Sequence, residues 1–289
     1  MAAGLVSVPT FVAMMSAIPV FLSECVMKKS RITGTREWSV GTVNCCKGCT
    51  HNCRYCWARA QALRFKWIQS PEQWLLPQVR QHEVTKKRKK AKGTIMFPST
   101  HDITPEVLVP CTRVLRNLLE AGNRVLVVSK PHWETIQTIC AEFADYRPRI
   151  LFRFTIGAED NEILSYWEPN APGFEERLAC LQHAHGEGFQ TSISVEPMLD
   201  SAGVVDLVHT LASLVTDSIW IGKMNRIRHA FKAVSDKDEA AIQEIQQGQT
   251  DARIWAIYDA LKYHPKVSWK DSVKKVVGIA PLAQPGLDK

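Results

Sequence analysis

The sequence predicts an α/β fold built on a parallel sheet, and three observations carry that reading. Segments of strand character alternate with helical segments six times along the chain. Residues 124–129 are a continuous apolar run, typical of a parallel strand covered on both faces. Two further strands alternate instead. Phe152 and Phe154 fall on one face with Arg153 and Thr155 on the other, and Ile193 and Val195 oppose Ser192, Ser194 and Glu196. A polar inner face suits a barrel with polar contents better than a solid core.

Taken in order, residues 37–43 read as the first strand, and a cysteine-rich loop follows it at the end where open parallel barrels carry their sites. Residues 57–67 are helical, with Ala58, Ala60 and Leu63 available for packing. Residues 94–98 form the second strand. The next helix, 105–121, opens with Thr104 as N-cap and Pro105 in its first turn, and Gly122 stops it. Strand 124–129 leads to helix 133–143, and strand 150–156 to helix 174–185, closed by Gly186 and Gly188. Strand 190–196, helix 204–215 and strand 218–224 complete the alternation. Residues 240–247 and 253–263 read as C-terminal flanking helices, and 281–289 as a frayed tail. The strand–helix units are not alike in sequence, so this is not a repeat protein.

With 289 residues, 45% apolar and 22% charged, the composition is that of a globular chain rather than a disordered one. Nine cysteines are too sparse for a disulfide scaffold. Cys25, Cys111, Cys140 and Cys180 sit in apolar stretches and read as buried thiols. Cys45 and Cys46 are adjacent and unsuited to pairing with each other. The pattern fits a reducing compartment, so the expected location is cytoplasmic. The net charge is +7, and much of it lies in the basic run at 86–92. That run is either a solvated loop or a phosphate contact. It precedes a strand, which puts it on the rim opposite the expected site. From Met1 to Ser23 there is no side-chain charge, and Pro9 and Pro19 interrupt any helix. No positive segment precedes this stretch as in a signal peptide. Although it is long enough to span a membrane, residues 1–26 are expected to be an extension, disordered or a spurious start, ahead of Met27.

The most informative motif is Asn44-Cys-Cys-Lys-Gly-Cys-Thr-His-Asn-Cys-Arg-Tyr-Cys-Trp57. Its Cys49, Cys53 and Cys56 can hold three corners of a cubane iron–sulfur cluster and leave one iron open to a small molecule. Two alternatives stand beside this. Adding Cys46 gives four thiols for one zinc ion, although zinc knuckles usually stand a dozen or more residues apart. The thiols could also be unligated. Tyr55 precedes the third cysteine and either lies against a purine ring or packs into the core.

The triplet resembles the signature of the radical S-adenosylmethionine superfamily. Further segments follow in order: Met96-Phe-Pro-Ser-Thr-His-Asp-Ile103, Val127-Val-Ser-Lys130, Phe152-Arg-Phe-Thr-Ile156, Glu168-Pro-Asn-Ala-Pro172 with Arg177, and Ser194-Val-Glu-Pro197. Over residues 38–225 the chain is similar to the spore photoproduct lyase-like (DNA repair photolyase-like) group. The resemblance implies a partial (β/α)6 barrel over residues 27–235, with helices 236–289 packed on it. It implies a 4Fe–4S cluster on Cys49, Cys53 and Cys56, with S-adenosyl-L-methionine chelating the open iron. Reductive cleavage would yield a 5′-deoxyadenosyl radical that abstracts a substrate hydrogen, with the electron coming from an external donor such as flavodoxin or ferredoxin. Tyr55, Lys130, Thr155 and Glu196 become cofactor-binding candidates, and Ser99, His101 and Asp102 catalytic ones. Ser99 stands where the lyase has a hydrogen-donating cysteine, and Trp57 where it has a tyrosine. An O–H bond is too strong to replace a thiol as a hydrogen-atom donor. The expectation is therefore the same radical initiator on a different substrate, with nucleic acid as the leading class. The rival is a non-catalytic zinc module that binds nucleic acid through Cys46, Cys49, Cys53 and Cys56.

The remaining candidates have plain structural readings. Lys130 could be a solvated strand end, and Asp102 a loop carboxylate bonding backbone amides. Glu196 needs a partner if buried, and Arg153 is the candidate. Glu168 and Arg177 are expected to pair and fix a loop. Lys223 and Asn225 could reach a substrate, and His51 reads as a loop residue.

Overall fold

The computed structural model describes residues 1, 2, 4, 32–281 and 284–286. The reading of residues 1–26 as an extension, the start at Met27 and the burial of Cys25 lie outside the described residues, apart from those first three positions. Arg31–Lys289 forms one compact unit that contains every described element.

Nine strands are described: β1 Gly41–Thr42, β2 Cys46–Lys47, β3 Gln78–Val79, β4 Ile95–Phe97, β5 Val125–Ser129, β6 Ile150–Thr155, β7 Gln190–Val195, β8 Ile219–Ile221 and β9 Val267–Trp269. Seven make one all-parallel sheet in the order β1-β4-β5-β6-β7-β8-β9. β2 and β3 pair antiparallel beside it. The helices are α1 Trp57–Arg64, α2 Gln81–Thr85, α3 Leu108–Glu120, α4 Trp133–Glu142, α5 Asn161–Trp167, α6 Phe174–Gly186, α7 Val204–Leu211, α8 Ile227–Ala230, α9 Asp236–Gly248, α10 Asp251–Leu261 and α11 Asp271–Val277. The strands and their crossover helices make a curled partial barrel of the expected α/β class. No described helix is long and apolar enough to cross a membrane.

The outer strand faces and the inward stripes of the helices form the main core, with Val125, Val127, Phe152, Phe154, Ile193, Val195, Ile219 and Ile221 at its centre. The inner face is polar, as the alternation predicts. Arg153 of β6 pairs in register with Ser192 of β7, and Thr155 with Ser194. Trp38 crosses the base of the barrel to meet Trp220 of β8 edge-on at 5.8 Å, and the Arg153 guanidinium lies over both rings. Lys270, just after β9, reaches back to the carbonyl of Gly34 at 2.9 Å and to Glu37 at 2.7 Å. The two ends of the sheet are thus tied through one buried ammonium.

Several expectations change. The first strand is only two residues long, because Gly34–Glu37 forms a 3₁₀ turn and Ser39 bonds back to the Thr35 carbonyl. The first helix stops at Arg64 rather than 67, because Lys66 takes a left-handed φ of 56°. A seventh strand, β9, lies inside the stretch read as helical; Val-Ser-Trp is too short for a periodic signal, and burial in the sheet settles it. The boundary at 235 therefore does not separate barrel from flanking helices. α5 was not foreseen, although Asp160 caps it by accepting the Glu162 N–H at 2.6 Å. In the tail, the Gly286 N–H donates to the Arg36 carbonyl at 2.9 Å.

Arg153 does not pair with Glu196. It donates to Ser192 at 2.8 Å and to Ser218 at 3.2 Å, and meets Asp217 at 3.3 Å. Glu196 stands four residues beyond Ser192 along the strand direction, about 13 Å at ~3.3 Å per residue, so it belongs to the opposite rim.

Candidate active site

The C-terminal strand ends open into a cavity of about 1360 Å³. It is lined by Cys49, Cys53, Tyr55, Cys56, Ser99, His101, Asp102, Lys130, Thr155 and Glu196, so the structure gathers every predicted site residue. Its volume exceeds the about 300–1,000 Å³ of ordinary ligand pockets.

The cysteine loop is held by its own backbone. Gly48 has a φ of 106°, and a Cβ there would stand 2.7 Å from the Trp74 carbonyl oxygen, so only glycine fits. The Cys49 N–H donates to that same carbonyl at 2.8 Å. Asn52 takes a left-handed φ of 54°, which asparagine tolerates. Arg59 donates to its side chain at 2.6 Å and to the Cys53 carbonyl at 2.9 Å. The Arg54 N–H reaches the Trp167 carbonyl at 2.8 Å. Cys56 caps α1, its sulfur accepting the Arg59 N–H at 3.4 Å.

Cys49 and Cys53 are buried and Cys56 half-buried. Burial, aided by Asp102, pushes the Cys49 thiol up to about 12. Burial also raises Cys53 strongly, and raises Cys56 against the pull of the Arg59 N–H and charge. Without metal these are thiols at neutral pH, and metal binding must release their protons. The donor set fits a cluster: three sulfurs lining one cavity, with the Lys130 and Arg59 cations near enough to favour thiolate.

Cys46 does not join them. Its sulfur lies 3.9 Å from that of Cys45, which lies 3.5 Å from that of Cys111. Among the described residues, the tight metal-competent sets are Cys45–Cys46–His101 and Cys49–His51–Asp102. A single zinc ion on Cys46, Cys49, Cys53 and Cys56 is therefore not supported by this geometry.

Asp102 is fully engaged. One oxygen accepts from the Lys130 N–H at 2.8 Å and the Ser129 hydroxyl at 3.0 Å. The other meets the Lys130 ammonium at 3.3 Å, the His51 Nδ1–H at 2.9 Å and the Cys49 thiol at 3.8 Å. Burial alone would raise its pKa, but Lys130 and His51 hold it well below the carboxylate range. A carboxylate so held is not a general acid. His101 is likewise occupied. Its Nδ1–H donates to the Asp102 carbonyl at 2.9 Å, leaving Nε2 to accept the Cys45 and Cys46 N–H groups, each at 3.3 Å. Burial lowers its pKa and keeps it neutral. Ser99 takes a hydrogen bond from the Asn44 amide at 2.9 Å.

Tyr55 is anchored rather than free to move. Its hydroxyl donates to Glu168, which pairs with the Arg177 guanidinium at 2.5 Å. Arg177 also donates to the carbonyls of Thr155 at 3.0 Å and Pro172 at 2.8 Å, fixing the end of β6. Glu196 meets Lys270 at 3.3 Å. Gly222 makes room for that pair, since a Cβ there would stand 2.8 Å from Lys270 Cγ. Lys223 and Asn225 also line the cavity.

Sequence reasoning missed His51. It is wholly buried between Asp102 and His132, whose Nε2 stands 2.8 Å from its own. A histidine in a loop has no periodic signature, so only the fold reveals its partners. Ser194 was placed on the inner face but given no role. Its hydroxyl, next to Thr155 in register, is buried without a partner among the described residues.

No family model matches the chain, and no curated protein matches it. Among solved structures, Streptococcus suis SuiB bound to its precursor peptide SuiA is 8% identical, with a TM-score of 0.51 over 84% of this chain and 51% of SuiB. The chain shares the fold of SuiB. It spans about half the length of SuiB. A spore photoproduct lyase variant with bound S-adenosylmethionine and dinucleoside spore photoproduct is 14% identical, at a TM-score of 0.47 over 85% of this chain and 79% of the lyase. Another variant with dinucleoside spore photoproduct is 15% identical, at 0.44 over 79% and 75%.

Proposed function

We propose that the chain is a radical S-adenosylmethionine enzyme acting on nucleic acid. One observation carries the reading: Cys49, Cys53 and Cys56 line one cavity with Lys130, Thr155 and Glu196 at the C-terminal rim of a curled parallel sheet. Cys49, Cys53 and Cys56 would hold a 4Fe–4S cluster. Lys130, held by Asp102, offers an ammonium to a carboxylate. The Thr155 hydroxyl and the Glu196 carboxylate offer polar contacts to a nucleoside. When bound, the cluster and cofactor together supply one-electron, hydrogen-abstracting chemistry. The chain's own work is orientation. Arg177 and Glu168 fix the Thr155 backbone and the Tyr55 ring, and the closed floor of Trp38, Arg153 and Trp220 excludes water from below.

The cavity mouth supports the substrate class. Trp57, Phe65 and Trp67 are 45%, 55% and 60% exposed, and Phe65 stacks on Trp67 at 5.6 Å. Lys47, Arg80, Lys223, Arg226 and Lys275 line the same opening. Exposed rings interleaved with cations suit unstacked bases and their phosphates. The basic run at 86–92 lies elsewhere, tied to Asn123 below β5.

The test is anaerobic reconstitution followed by dithionite and S-adenosylmethionine. Expected are absorbance near ~400 nm, about four irons per chain and formation of 5′-deoxyadenosine. Deuterium from deuterated nucleic acid of a cell extract should appear in the 5′-deoxyadenosine. Label reaching deoxyadenosine only from deuterated peptides would overturn the substrate class, and absence of both iron and deoxyadenosine would overturn the enzyme. Because Ser99 replaces a thiol, the thymine spore lesion should give deoxyadenosine without repaired thymine.

Two substitutions sharpen the reading. Thr155→Val keeps shape and the Arg177 contact. It should raise the KM for S-adenosylmethionine about tenfold, the loss of one hydrogen bond of about 1.4 kcal/mol, while iron content stays the same. Trp67→Ala should weaken single-stranded oligonucleotide binding by about 1–3 kcal/mol, measured by fluorescence anisotropy, without altering uncoupled deoxyadenosine formation.

A further inference from the structure

Beside the cavity, with Cys46 and His101 reaching its lining, lies a second sulfur cluster that the proposed reaction does not use. Cys45, Cys46, Cys111 and His101 are 0%, 3%, 1% and 7% exposed. They come from three places: the start of β2, the first turn of α3, and the loop after β4. The sulfur separations are 3.9 Å for Cys45–Cys46 and 3.5 Å for Cys45–Cys111. Four ligands around an ion at about 2.3 Å would stand about 3.8 Å apart along a tetrahedron's edges. Cys45 precedes the strand proper and is not bound by strand alternation, which lets adjacent cysteines turn their sulfurs to one side. A ring nitrogen of His101 lies within 4.8 Å of the Cys45 and Cys46 sulfurs. The Nδ1–H of His101 donates to a backbone carbonyl at 2.9 Å, so Nε2 carries its lone pair. That outer bond is the one that fixes a metal-binding histidine. Nε2 now meets only two N–H groups, both at a long 3.3 Å.

We infer that Cys45, Cys46, Cys111 and His101 form a closed, structural zinc site, separate from the cavity trio. Soft sulfurs and an imidazole together select zinc over harder ions. All four positions are filled by protein, so the ion would bind no substrate. It would pin the start of the cysteine loop to α3 and to the loop carrying Ser99 and Asp102. Inert buried thiols would account for burial but not for two sulfurs and an imidazole within 4.8 Å of one another, with a third sulfur 3.5 Å from Cys45.

The inference is tested without reference to the radical reaction. In the Cys49→Ala/Cys53→Ala/Cys56→Ala chain, expressed with zinc, elemental analysis should find about one zinc per chain. Cobalt exchanged into that chain should give an intense thiolate-to-metal band and tetrahedral d–d bands. Adding Cys111→Ser should remove at least nine-tenths of the zinc and both cobalt signatures. Should the triple variant fail to fold, the whole reconstituted chain decides. It should carry zinc beside iron, and Cys111→Ser alone should lower the zinc and leave the iron. Absence of zinc from both chains, or a zinc count indifferent to Cys111→Ser, overturns the site.

Discussion

Cys53→Ala should abolish iron loading and bring 5′-deoxyadenosine formation to background. Cys53 is the most enclosed of the cavity thiols, and its loss leaves two sulfurs, too few to hold a cluster that needs three protein ligands to retain one open iron. The fold should survive, because the thiol lies in a loop pinned through the Cys49 N–H, the Arg54 N–H and the Cys53 carbonyl rather than through the sulfur. Iron by elemental analysis should fall from about four per chain to below about one, with an unchanged far-ultraviolet circular dichroism spectrum. Cys46→Ala provides the contrast: iron should stay, because the Cys46 sulfur lies against Cys45, which in turn meets Cys111. Should Cys53→Ala retain its iron, the cavity trio is not the cluster site.

Arg177→Ala should destabilise the fold by about 3–5 kcal/mol, the cost of stranding a buried charge. The melting temperature should fall by about 10 °C. Three groups lose their donor at once: the Glu168 carboxylate and the carbonyls of Thr155 and Pro172. Both partners of the ion pair are wholly buried, so water cannot replace the guanidinium. The pH dependence should change sign. In the unaltered chain burial would raise Glu168, but Arg177, Lys130 and the Tyr55 hydroxyl hold it below its ordinary value of 4.5. Its contribution is therefore complete above that pH and lost as pH falls through the lower folded value. Without Arg177, burial wins and the folded pKa rises. Stability is then lost as pH climbs above 4.5 instead. Urea unfolding between about pH 4 and pH 7 reads the slope directly, and a parallel slope in both chains would overturn the assignment.

Where the chemistry lay in local spacing, the sequence was legible. The cysteine triplet, the continuous apolar strand and the alternation at 150–156 and 190–196 each depend on neighbours along the chain, and each reappears as a cavity wall, a buried strand or a polar inner face. Partners were another matter. Glu196 was matched to Arg153 on strand adjacency, yet height along the strand gives it Lys270, from a residue 74 positions later in the sequence. Asp102 and His101 read as a catalytic pair, yet Asp102 is saturated by groups from β5 and the cysteine loop, and His101 turns its Nε2 to the Cys45 and Cys46 N–H groups.

By itself, then, the order of residues determined the α/β class, the parallel alternation, the polar lining and the three sulfurs able to share a metal. Those are properties of short windows, where periodicity and spacing act directly. Only the tertiary structure decided that β9 completes the sheet, that His51 is buried against Asp102, and that the Cys46 sulfur sits against Cys45 rather than with the cavity trio. Such outcomes depend on contacts between distant segments, whose strength is set by burial and geometry that no local pattern encodes.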